Sequence, residues 1–82
     1  MNSTTDTKMK TKTMEKNEQE RLRIGQRIAE LRHQQNITQQ ELSERTGIRR
    51  AHISRIEGGK YSVGFDALQN IATALGKNID FI

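Results

Sequence analysis

The hydrophobic pattern divides the chain into three parts. Residues 1–16, MNSTTDTKMKTKTMEK, are polar and show no apolar period. With nothing to bury against the entropy of ordering, they read as a flexible basic tail. From Asn17 the pattern turns helical. Asn17 and Glu20 have the spacing of a capping pair, and Glu18 and Glu20 suit the positive end of a helix. Ile24, Ile28 and Leu31 then follow at i, i+4 and i+7. Asn36 ends this first helix in a left-handed or turn conformation. Thr38 stands as the N-cap of a second helix, QQELSERT, with Leu42 inward and Gly47 supplying the positive φ that stops it.

A third helix covers about Arg49 to Glu57, with Ile53 and Ile56 inward and Gly58 and Gly59 ending it. After the loop KYSVG, a fourth runs from about Phe65 to Leu75. Phe65, Leu68, Ile71, Ala72 and Leu75 line one of its faces, and Gly76 closes it. NIDFI is ambiguous: Ile79 and Phe81 alternate as in a strand, while Ile79 and Ile82 match a helical turn. The fold expected is all-α, a compact bundle of four to five short helices with a short apolar C-terminal segment. Residues 17–76 form the domain and 77–82 the end segment.

The third helix raises the functional question, because its polar side is cationic. At about 100° per residue, burying Ile53 and Ile56 turns Ala51, Ser54 and Arg55 outward, with Arg50 at the flank. Small residues beside arginines let a helix approach a surface closely while the guanidinium forks reach past it. Those forks match the O6/N7 edge of guanine and the oxygens of phosphate. Arg49 falls at the N-cap, where it cannot cap and its charge opposes the helix dipole. The loss is about 1 kcal/mol, which a nearby phosphate would offset. The second helix stops at Gly47, two residues before the third begins. A tight glycine-containing turn between two short helices is the signature of a helix-turn-helix, whose second helix lies in the major groove.

Composition sharpens this reading. With 82 residues, 32% of them hydrophobic, the chain makes one small domain with a thin core. It has no cysteine, hence neither a disulfide framework nor a thiolate metal site. No apolar run suggests a leader or a membrane span, so a cytoplasmic setting is expected. The net charge of +4 favours a polyanionic partner. Two histidines at unrelated positions and scattered carboxylates form no metal cluster and no nucleophile–base pair. Neither an enzyme nor a cofactor is expected.

The segment ITQQELSERTGIRRAHISRIEGGKYSVGFDALQNIATALG, with T-Q-x-E-L, a glycine, I-S-R-I-E-x-G-K and L-x-x-I-A-x-A-L-G in register, resembles the Cro/C1-type helix-turn-helix family. This is the XRE family of phage repressors and related bacterial regulators, with the lambda-repressor-like fold. The resemblance covers about Arg21 to Leu75. It implies that Gln39 binds a phosphate through its side chain and the amides opening the second helix, supported by Gln40. It implies that Arg50, Ala51 and Arg55 hold base-reading positions with Ser54 beside them, and that Lys60 anchors a phosphate. Arg32 and Glu57 match an ion pair joining the first and third helices.

The chain also departs from the pattern. Ser43 replaces a small apolar residue at the helix crossing, Thr46 replaces an apolar one, and Gly64 stands where a Ser cap is usual. The family often continues into a fifth helix, whereas here Ile79, Phe81 and Ile82 would be poorly buried in a monomer. They are therefore expected to pair with a two-fold mate, as a short helix or an antiparallel strand.

The function implied is sequence-specific binding of double-stranded DNA by a homodimeric transcriptional regulator, a repressor, acting at a palindromic operator. An antitoxin that holds a toxin and represses its own operon is the other reading left open. Without the resemblance, Arg50 and Arg55 would read simply as a solvated face. His52 could pack or reach a phosphate, and His33 reads as exposed near the first helix's C-terminal end.

Overall fold

The computed structural model describes residues 2–81, with side chains from Lys16 onward. Among the described residues there are four helices and no strand: α1 (Asn2–Gln34), α2 (Gln39–Thr46), α3 (Arg50–Glu57) and α4 (Phe65–Ala74). The all-α architecture is the one that the apolar stripes predict. None of these helices is long and apolar enough to cross a membrane.

The N-terminal boundary differs from expectation. α1 begins at Asn2 and passes through Asn17, so the Asn17–Glu20 pair lies inside the helix. Neither Pro nor Gly occurs before Gly25, and lysine and glutamate are good helix formers, so nothing breaks the element there. At 33 residues α1 is not a short helix. It ends as the sequence predicts, with Asn36 left-handed at φ 57°.

The core is seven aliphatic side chains: Ile28, Ile37, Leu42, Ile53, Ile56, Ile71 and Leu75. Ile24, Leu31, Ile48, Val63 and Leu68 pack around it, half-buried. Leu42, Ile53 and Ile71 are fully enclosed, one each on α2, α3 and α4, so these short helices are fixed by packing more than by propensity. α1 crosses α3 very closely. A Cβ on Gly25 would collide with the Ile56 carbonyl oxygen and lie 2.6 Å from that of Glu57. A residue that costs an isolated helix stability is thus the one that lets α1 touch α3.

Two further expectations change. Phe65 is 67% exposed, so α4 buries Ile71 and Leu75 and half-buries Leu68 and Ala72, but not its first residue. The stripe continues past the edge of so small a core. Residues 77–81 take up neither helix nor strand, with Phe81 fully exposed and Ile79 half-buried. α4 ends in a Schellman arrangement at Gly76 (φ 72°), the Lys77 N–H reaching the Ala72 carbonyl at 2.7 Å.

Candidate nucleic-acid interface

α2 is set by its caps. Thr38 accepts from the Glu41 N–H at 3.0 Å, and Glu41 accepts from the Thr38 N–H at 3.3 Å, a complete capping box. Gly47, at φ 74°, stops the helix and sends its N–H to the Ser43 carbonyl. The turn that follows is held by side chains of α2. The Ser43 hydroxyl donates to the Ile48 carbonyl, and the Ile48 N–H donates to the Thr46 hydroxyl at 3.2 Å. Thr46 in turn donates to the Leu42 carbonyl at 2.8 Å. Both backbone polar groups of Ile48 are satisfied while its side chain packs on the core. In the sequence, Ser43 and Thr46 stand only as small replacements for apolar residues. Hydroxyl residues at a helix end next to a tight turn were the available signal.

α3 presents two unlike faces. Ile53 and Ile56 are buried, while Arg50, Ala51, Ser54 and Arg55 are exposed. Arg49 is the N-cap residue and makes no side-chain capping bond, so the mismatch seen in the sequence persists in the fold. The helix's one acid, Glu57, is turned inward. Its Oε2 accepts from Arg32 Nε at 2.8 Å, and its Oε1 from Arg32 Nη2 at 3.0 Å and from Gln39 Nε2 at 3.0 Å. Arg32 spends its remaining nitrogen on the Ile37 carbonyl at 3.0 Å. Both side chains of the pair are about nine-tenths covered. The bond to Glu57 raises the Arg32 guanidinium above its already high range, against the opposing cost of desolvation.

This network also holds Gln39. Gln39 lies at the expected helix start, and one hydrogen of its amide nitrogen is engaged by Glu57. The second hydrogen of that nitrogen is a further donor beside the pair of backbone amides opening α2, which have no intrahelical partner. Gln40 is exposed, with its amide 3.3 Å from Glu44. Gln39, Gln40 and Arg50 line one open cleft between the end of α1 and the start of α3. At the other end of α3, the Lys60 N–H donates to the Arg55 carbonyl at 3.0 Å, which places Lys60 just beyond the helix terminus. His52 is half-buried and packs on Tyr61, ring centroids 4.9 Å apart. His33 is exposed in the last turn of α1.

The charge balance of the face follows. Among the described residues, no carboxylate lies within ion-pairing distance of Arg49, Arg50, Arg55 or Lys60. The ion pairs present are Arg23–Glu20 and Arg27–Glu30 on the outside of α1 and the internal Arg32–Glu57. The same residues hold no group of side chains that could bind a metal ion.

Comparison with known proteins agrees with this geometry. The sequence profile of the helix-turn-helix family matches residues 28–82. The immunity repressor protein of Bacillus phage phi105 is 32% identical over 59 residues, which is 72% of this chain and 41% of that protein. An HTH-type transcriptional regulator of Sinorhizobium fredii is 39% identical over 56 residues, 68% of this chain and 29% of its own. One from Methanothermobacter thermautotrophicus is 42% identical over 50 residues, 61% and 72% of the two chains. The chain spans less than half the length of the first two relatives. No solved structure matches it significantly. The profile match, the repressor and regulator relatives and the paired helices around Gly47 together show that the chain belongs to the Cro/C1-type (XRE) helix-turn-helix family of DNA-binding transcription regulators.

Proposed function

We propose that this chain is a sequence-specific DNA-binding repressor that acts as a homodimer, each copy laying α3 in the major groove. One observation carries the reading: the side of α3 away from Ile53 and Ile56 is exposed and cationic, and its single acid is folded inward onto Arg32. Arg50 and Arg55 read base edges, while Ala51 and Ser54 allow the helix backbone to come close. The amides opening α2, with Gln40, Arg49 and Lys60, hold phosphates and fix the register. In this reading Gln39 offers a phosphate its main-chain amide and the second hydrogen of its side-chain nitrogen, the first being held by Glu57. The half-sites of a two-fold operator would lie about 34 Å apart on one face of the duplex.

Selection of bound sequences from random duplex DNA tests the whole reading. The expected product is a palindrome with half-sites one helical turn apart. Binding without an enriched sequence would leave only a general affinity for polyanions.

The homodimer is proposed to form through residues 77–82, whose apolar side chains include the uncovered Phe81. Truncation after Asn78 is expected to give monomers by light scattering and to weaken operator binding. A truncated protein that remains dimeric would place the interface elsewhere.

A further inference from the structure

We infer that the cleft between α1 and the α3–α4 connection receives Phe81 from a second copy of this chain. The inference rests on the homodimer proposed above and identifies the surface that the C-terminal segment occupies.

The cleft, about 320 Å³, has an apolar floor of Ile24, Ile56, Val63 and Leu68, with Tyr61 on one wall and Arg21 at its rim. Ile24, Val63 and Leu68 sit against the core but remain half-buried, so the floor is core surface left without a lid. The chain itself supplies a matching group. Phe81 is an aromatic side chain with no cover at all, next to the half-buried Ile79. An aromatic ring entering an apolar cleft of this size removes surface from water on both partners.

Charge selects the occupant. Arg21 is half-buried and makes no ion pair among the described residues, whereas Glu20, on the same rim, is held by Arg23. The uncompensated charge at the cleft mouth is therefore positive. Asp80 precedes Phe81, is exposed, and has no cation among the described residues. An Ile–Asp–Phe segment laid on the cleft brings Asp80 to Arg21 as Phe81 reaches the floor. None of the residues lining the cleft is Arg50, Ala51, Ser54 or Arg55, so an occupied cleft leaves the outward side of α3 free.

The chain has no cysteine, which permits a clean cross-linking test. Ser62→Cys lies at the cleft and Asn78→Cys in the segment, and neither replaces Phe81, the Arg21–Asp80 pair or the apolar floor. Mixing and oxidising the two single-cysteine chains is expected to give a covalent dimer joining position 62 of one to position 78 of the other. If only position 78 cross-links to itself, the end segments pair with each other; the cleft assignment fails and the homodimer stands. If no cross-link forms and both chains are monomers by light scattering, the homodimer reading fails and takes this inference with it. An intrachain disulfide in a monomeric double variant would show that the cleft holds the chain's own segment, overturning the inference.

Charge reversal supplies a second readout on an uncrosslinked protein. Arg21→Glu and Asp80→Arg should each raise the dimer dissociation constant about tenfold, and the double variant should recover most of the loss. Loss without recovery in the double variant would overturn the pairing.

Discussion

Arg32 and Arg55 are the same side chain in opposite circumstances. Arg32 is buried, and three of its nitrogens are committed, two to Glu57 and one to the Ile37 carbonyl. Arg55, with Arg50, is exposed and has no ion-pair partner among the described residues. The contrast shows how a very small domain keeps a cationic face without an acid beside it. α3 carries one carboxylate, and the fold withdraws it from the surface by giving it an internal arginine and a glutamine donor. The buried pair thus serves both regions: it ties α1 and α2 to α3, and it leaves the outward side of α3 positive.

Breaking the buried member should have the largest effect. Glu57→Ala leaves the Arg32 guanidinium covered and without a counter-ion, and should destabilise the fold by about 3 kcal/mol, read by urea denaturation. A variant that unfolds at the wild-type midpoint would show that the pair contributes nothing to the domain. The exposed members should behave in reverse. Arg50→Ala or Arg55→Ala should leave the unfolding midpoint unchanged and cost about 1–3 kcal/mol of operator affinity, measured by titration. An equal loss on specific and random duplex would remove that arginine from base reading. Lys60→Ala should be milder, weakening both duplexes alike and reducing the salt slope by about one. An unchanged slope takes Lys60 off the phosphate. Smallest of all should be Arg23→Ala. The hydrogen bond from Arg23 holds the Glu20 carboxyl below its usual range. Any stabilisation from that bond is therefore present above the ordinary carboxylate pKa and is lost as pH falls through the lowered one. Because both side chains are more than half exposed, thermal melts of the variant and the parent should coincide at neutral pH.

Much of this was legible in the chain because the relevant signals are local. Thr38, Gly47 and Asn36 announce their conformations through side-chain chemistry within a few residues, and each takes the backbone role it predicts. The Arg32–Glu57 pair was legible from the family resemblance, since two residues 25 apart carry no local sign of each other. What escaped depends on distance in space. A lone glycine inside α1 reads as a cost until α3 is laid against it. Phe65 continues a faultless stripe on α4, yet seven buried aliphatic side chains do not extend far enough to cover it. The start of α1 is not marked in the sequence, because a polar, lysine-rich segment without breakers has no period to show where a helix begins.

The hydroxyls of Ser43 and Thr46 hold the carbonyl and the N–H of Ile48, and this bears on what DNA has to do. A turn whose central residue has both backbone polar groups bonded has less conformational freedom to surrender when a duplex arrives, so α2 and α3 are held to one another before contact. Association should then proceed like the docking of a rigid body, with little ordering of the turn upon contact.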